Sequence, residues 1–381
     1  MSSVIYLDNA ATTRVSPEVV SRMLPYFSDH YGNPSSPHAL GRAALDALES
    51  ARSLVAQRFG VPLQSVIFTS GGTESNNLAI LGVARKRKSG HIVTSRIEHP
   101  SVLEVCRQLE HEGFSVTYLA VSSEGLVSLD DVSRAVRDDT ILVSIQHANN
   151  EIGTLQPIAD IARVCKRLGV PFHTDVVQSF CREPIVLGDG QWMISLSAHK
   201  INGPKGVGAL VCNGVLPDAI VFGGGQEGVR SGTENVAGIV GFAAAVELYP
   251  KDASEKMRFL RDRLIAELLR IPDARLNGSS FHRLSSNVHV SFRLIDSTTL
   301  IEHLSQEGIC ASAGSACHSA RLQASHVLDA IGLSPEWSHG ALRLSLSPET
   351  TEVEVDGAAE SVRRIVSDLR EAYGSRHHRA V

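Results

Sequence analysis

Through the first 250 residues, short apolar runs alternate with segments of helical period. Ser65–Thr69, His91–Ser95, Ser115–Leu119, Thr140–Ile145, Val170–Thr174, Trp192–Leu196 and Val207–Val211 are brief, largely apolar and bounded by polar or glycine residues, which predicts buried strands. Glu74–Lys86, Pro100–Glu112, Ser128–Arg137 and Ile158–Leu168 lie between several of them and read as helices. Such alternation predicts an α/β domain, a mostly parallel seven-stranded sheet flanked by helices. Beyond residue 250 the texture changes to a helix over Glu255–Arg270, a strand over Ser286–Phe292, a helix over Ser297–Glu307, a loop, and a last helix over Val353–Tyr373. This predicts a smaller α+β domain, with Pro250 and the polar Lys251–Ser254 near the boundary. The division expected is 15–250 for the large domain, and 1–14 with 251–381 for the small one.

The chain has 381 residues, 20% charged and 43% hydrophobic, enough for two packed domains. Net charge is -5, and basic residues cluster only at Arg85–Lys88 and Arg376–Arg379. These read as a helix end and a fraying tail, so no direct nucleic-acid binding is expected. The N-terminus lacks a signal-peptide pattern, and the longest apolar stretch, Val236–Leu248, is too short for a bilayer and holds two glycines. A cytoplasmic protein without membrane attachment is expected. Six cysteines, at 106, 165, 181, 212, 310 and 317, form no C-x-x-C pair, which points away from zinc and disulfide frameworks. No metal site is expected.

The chemistry-bearing residues follow the predicted strands. Thr73 in Thr69-Ser-Gly-Gly-Thr-Glu74 opens a helix, where amides and a hydroxyl can meet a phosphate. His99, Asn150, Asp175 with Gln178, and Ser197-Ala-His-Lys200 each come after a different strand. Singly, each also suits a capped polar turn. Together they fall on one edge of one sheet, where α/β proteins bind ligands. A lysine at a turn and an aspartate at a strand end suit pyridoxal phosphate, which needs an amine to hold it and a carboxylate to keep its ring nitrogen protonated.

This set, in this order, resembles the fold type I pyridoxal phosphate enzymes and, among them, the cysteine desulfurases of the iron–sulfur-assembly class. The resemblance runs through Tyr6-Leu-Asp-Asn-Ala-Ala-Thr-Thr13, Gly32-Asn-Pro-Ser35, Thr69–Ser75, Asn149-Asn-Glu-Ile-Gly153, Ser197–Lys200 with Gly203-Pro-Lys-Gly206, Arg230-Ser-Gly-Thr233 and Ser312-Ala-Gly-Ser-Ala-Cys317. It implies that Lys200 forms the Schiff base, Asp175 pairs with the ring nitrogen, Gln178 bonds the ring oxygen and His99 stacks on the ring. Thr73, Ser197 and His199 would hold the phosphate, with Thr233 reaching in from the second subunit of a homodimer. Asn150 and Arg343 match the substrate-binding positions, and an arginine fork suits an amino-acid carboxylate.

Cys317 matches the family nucleophile. Its thiolate would attack the sulfur of L-cysteine, leaving L-alanine and an enzyme persulfide for an acceptor protein, with Lys200 moving protons at the substrate α-carbon. The glycine and serines around it predict a loop that carries the sulfur outward. His318, where threonine is frequent in the family, stands next to the nucleophile and is placed to alter its thiolate fraction. Two other readings stay open: a selenocysteine lyase or related β-elimination enzyme, and a pyridoxal-binding scaffold without turnover. The acceptor is not legible. Iron–sulfur assembly is the first expectation, and transfer RNA thiolation or DNA phosphorothioation are further destinations of such enzymes.

Overall fold

The computed structural model describes residues 4–314 and 325–377. Its strands are β1 (Ile5–Tyr6), β2 (Val66–Thr69), β3 (His91–Ser95), β4 (Ser115–Leu119), β5 (Thr140–Ser144), β6 (Phe172–Asp175), β7 (Trp192–Ser197), β8 (Gly208–Asn213), β9 (Ala274–Leu276), β10 (Asn287–Phe292), β11 (Ile309–Cys310) and β12 (Ala341–Ser345). Seven of them form one sheet in the order β2-β8-β7-β6-β5-β3-β4. Only β8 runs against its neighbours, so the other six end on the same edge.

Period-two alternation explains why the strands read as unbroken apolar runs. In β2, Val66 and Phe68 join the core on one face of the sheet, whereas Ile67 joins the core on the other. Met193 and Ile194 divide in the same way in β7, as do Leu210 and Val211 in β8. Both faces of the sheet's interior are therefore covered. The helices Gly72–Arg87 and Pro100–His111 pack on one face; Ala39–Phe59, Ile158–Leu168 and Val236–Leu248 pack on the other. The basic run Arg85–Lys88 does end a helix, with Lys88 as its left-handed C-cap. Val236–Leu248, the longest apolar stretch, is a helix inside the core.

A further core gathers Leu7 with residues between Ala253 and Leu369. It is built on the antiparallel order β12-β10-β9 and on the helices Ala253–Leu268, Ser297–Gln306 and Glu352–His377. The N-terminal segment joins it by β1 pairing in parallel with β11 and by a bridge from Asp8 to Ser345. No helix among the described residues is long and apolar enough to cross a membrane.

One buried polar tie runs across the large sheet. His173 Nδ1 lies 2.8 Å from Ser144 Oγ and its Nε2 lies 2.9 Å from Ser195 Oγ, joining β5, β6 and β7. Burial pushes the His173 ring down to about 3, so it is neutral. His147 is pushed down to about 4 by the same cause. An unfolded histidine titrates near 6.5, so between these values the unfolded chain binds protons that the folded chain refuses. Stability therefore falls as pH drops below about 6.5, each such ring contributing up to about 1.4 kcal/mol per pH unit. Urea midpoints should fall between pH 7 and pH 5, and His173→Asn should reduce that pH dependence by about one proton. An unchanged dependence in the variant would remove His173 from this account.

Candidate active site

Nine of the sequence-predicted residues meet in one cavity of about 300 Å³ at the carboxyl edge of the large sheet. Thr73, His99 and Asn150 enter it from the segments after β2, β3 and β5. Asp175 and Gln178 enter from the end of β6, Ser197, His199 and Lys200 from the end of β7, and Arg343 from β12. Thr233 does not line it; it is exposed in the loop before Val236–Leu248. Arg230, in the same motif, holds Glu74 through Nε at 2.7 Å, so this loop is anchored at the start of the helix Gly72–Arg87. Cys317 and His318 lie outside the described residues.

Lys200 follows β7 on a single helical turn and is largely buried. Its Nζ donates to the carbonyls of Ala10 at 2.6 Å and Ala11 at 2.7 Å. Burial, with Arg343 and Arg182 nearby, lowers its amine to about 7, while Asp175 and Asp8 act in the opposite sense. An amine near neutrality reacts with carbonyl groups and carries protons at physiological pH. Asp175 has both oxygens engaged: Oδ1 accepts from the Val177 amide at 2.9 Å and Oδ2 from Asn76 Nδ2 at 2.7 Å. His99 caps the helix Pro100–His111, and burial lowers its proton affinity.

The opposite end is made for an anion. The helix Gly72–Arg87 has Gly71 at its N-cap and no side-chain cap, so Thr73 does not take that role. Its first amides are open to a ligand. Ser197 Oγ is buried and has no hydrogen-bond partner among the described residues, an orphaned hydroxyl beside that helix start. A Cβ at Gly208 would come within 2.8 Å of the Gly71 Cα, so this close approach requires glycine. His199 is lowered to about 4, first by burial and then by Lys200 and Lys205, and its Nδ1 lies 3.1 Å from Thr12 Oγ1.

Arg343 is 1% exposed. It donates to Asp8 Oδ1 at 2.9 Å and to the Asn150 and Gly314 carbonyls at 2.9 and 3.1 Å, while its buried Nε lacks a partner among the described residues. Several participants are not read from sequence. Asp8 lies inside the Tyr6–Thr13 motif and Asn76 lies three residues after Thr73, so both carried a positional signal. Glu151, which accepts from Ser325 Oγ, lies inside the Asn149–Gly153 motif and carried the same signal, whereas His326, whose Nε2 donates to the Glu98 carbonyl at 3.0 Å, carried none.

Pyridoxal phosphate requires an amine for its carbonyl, a carboxylate for its ring nitrogen and donors for its phosphate, and the residues of this edge fit it. The class is that of the fold type I pyridoxal phosphate-dependent enzymes. Residues 5–357 match the family model for aminotransferase class V. A cysteine desulfurase IscS of Methanosarcina thermophila is 48% identical over 377 residues, covering 97% of this chain and 93% of the relative. Among solved structures, a NifS-like protein superposes with a TM-score of 0.89 at 38% identity, covering 96% of this chain and all of that one. SspA in complex with cysteine superposes at 0.80 with 39% identity, over 91% and 99% of the two chains. The chain belongs to the aminotransferase class-V family and, within it, to the cysteine desulfurases.

The depressed Lys200 amine is directly measurable. In cofactor-free protein, competitive acylation read by mass spectrometry should give Lys200 half-maximal reactivity near pH 7, with exposed lysines several units higher. Asp8→Asn removes a charge that favours the ammonium, so it should lower that midpoint further. A Lys200 midpoint near 10 would contradict the electrostatic account.

Proposed function

We propose that this chain takes sulfur from L-cysteine in the cytoplasm, leaving L-alanine and a persulfide on Cys317, and passes that sulfur to an acceptor protein. The observation that carries the reading is the enclosure of Lys200, Asp175 and Arg343 in one cavity. When bound, pyridoxal phosphate supplies a sink for the electron pair left on the substrate α-carbon.

The chain's residues take the remaining tasks. Thr73, Ser197 and His199, with the open amides after Gly71, hold the phosphate. Asp175 would hold the ring nitrogen, Gln178 the ring oxygen and His99 the face of the ring. Gln178 Nε2 now donates to the Ala10 carbonyl at 3.0 Å, the same carbonyl that receives Lys200, so these two residues are poised together. Arg343 and Asn150 orient the substrate through its carboxylate. Lys200 Nζ, able to exist as a free amine near pH 7, takes the proton from the α-carbon and returns one. The Cys317 thiolate attacks the substrate sulfur: the Sγ–S bond forms as the substrate Cβ–S bond breaks, the electron pair goes to the carbon side, and protonation there gives alanine.

Thr233 is assigned to the phosphate site of the second subunit, which makes the working form a homodimer; its exposure and its distance from its own cavity support this. The domain division at 15–250 against 1–14 with 251–381 is part of the same reading, supported by the core that Leu7 shares with residues 253–369. Delivery to an iron–sulfur assembly scaffold is the destination proposed.

With L-cysteine and reductant, the wild type should form alanine and sulfide. Cys317→Ala should lose this by at least about 100-fold while keeping its visible absorption band, and Lys200→Ala should lose both. Alanine and sulfide released from L-cysteine by Cys317→Ala at the wild-type rate would overturn the nucleophile and leave direct elimination as the better reading.

A further inference from the structure

Between His99 and Asp175 runs a hydrogen-bonded chain whose polarity can be read bond by bond. Asp175 Oδ2 is 2.7 Å from Asn76 Nδ2, and an ionised carboxylate only accepts, so Asn76 presents its amide nitrogen there. The second N–H of the same nitrogen meets Ser101 Oγ at 2.8 Å. Ser101 Oγ, which can accept a second bond or donate its own hydrogen, lies 2.8 Å from His99 Nδ1. The Ser101 backbone N–H, which can only donate, also points to Nδ1, at 3.1 Å. Nδ1 therefore carries a lone pair, and the ring proton belongs on Nε2.

We propose that Asn76 and Ser101 are positioning residues: Asn76 holds Asp175 as an ionised acceptor, and Ser101 holds His99 as the neutral tautomer protonated on Nε2. Asn76 is 1% exposed, and its Oδ1 has no partner among the described residues. A buried amide with an idle oxygen is worth retaining only if its nitrogen is needed. Protonating His99 at Nδ1 would set the new N–H against the Ser101 amide and break that contact. What His99 offers the cavity it lines is thus a donor, on the ring edge opposite Ser101. The charged and titratable groups that act on it are Asp175, Lys200 and His326, and burial opposes the imidazolium more strongly than Asp175 favours it.

This inference rests on the proposed site roles, so its test has one arm that does not need the cofactor. In cofactor-free protein labelled with 15N-histidine, and with His99→Gln to identify the signals, His99 should show the neutral Nε2–H pattern at pH 7. An Nδ1–H or imidazolium pattern there would overturn the tautomer. The second arm follows the visible absorption of the loaded enzyme against pH and the rate of cofactor loss on dialysis. Asn76→Asp places a second carboxylate against Asp175, so it should move the absorption midpoint by about one pH unit or more and speed cofactor loss several-fold. Asn76→Ala should speed the loss with a smaller shift, and thermal melting of the cofactor-free protein identifies any variant that is merely misfolded. Ser101→Ala, which keeps the backbone donor, should retain the tautomer and loosen the cofactor less than Asn76→Ala. Midpoints and loss rates equal to wild type in a folded Asn76→Ala would sink the Asn76 clamp. If instead the wild type develops no visible band, the proposed function fails, and the histidine spectrum still decides the tautomer.

Discussion

The contact on which the rest of the site depends is the pair of hydrogen bonds from Lys200 Nζ to the carbonyls of Ala10 and Ala11. The lysine belongs to the large sheet, and the carbonyls belong to a segment whose neighbouring residues pair with β11 and bridge to β12. Thr13 strengthens this junction by donating to the His199 carbonyl at 2.9 Å and accepting from the Asn202 amide at 2.8 Å. The N-terminal segment thereby fixes β12, and with it Arg343, over the lysine. If that segment were displaced, the amine and the guanidinium would lose their common reference even with both cores intact.

Burying two cations in one cavity carries a large electrostatic penalty, and the structure meets it unequally. Arg343 is met by Asp8 and two carbonyls, a set of partners matched to a planar fork. Among the described residues Lys200 Nζ meets only carbonyl acceptors, and its carboxylate neighbours do not outweigh burial and the arginines, so its proton is held loosely. One cation is made permanent and the other labile. That separation is what a site needs if one group is to bind a carboxylate and the other to move protons near neutral pH.

The strands of the large sheet are legible because all but the half-buried edge strand β4 are buried on both faces and read as short, largely apolar runs. The antiparallel sense of β8 is not, since a strand's apolar pattern is the same in either direction. The helix Ala39–Phe59 leaves little trace because its buried face includes Ala44, Ala51 and Ala56, which give weak contrast with an exposed face of similar residues. Within the site, residues that follow strands announce themselves by position. Asn76 and Ser101 sit instead one turn or less inside helices, where a polar side chain usually faces solvent, and only the packing of Gly72–Arg87 against Pro100–His111 turns them toward each other.

The direction of these buried hydrogen bonds bears on how acid and base work is divided. His99 and Lys200 are both within the cavity, and either is a conventional proton carrier. With the proposed tautomer, Nδ1 accepts from the Ser101 backbone amide and His99 has no free lone pair to accept a proton from the substrate. That tautomer agrees with Lys200 as the proposed base at the α-carbon, a task its lowered proton affinity suits, while His99 can give a hydrogen bond without changing charge. A neutral donor beside Asp175 also leaves that carboxylate's charge for the ring nitrogen rather than for an adjacent imidazolium. On this account the serine two residues after the histidine and the asparagine three after Thr73 decide which of two capable groups acts as the base.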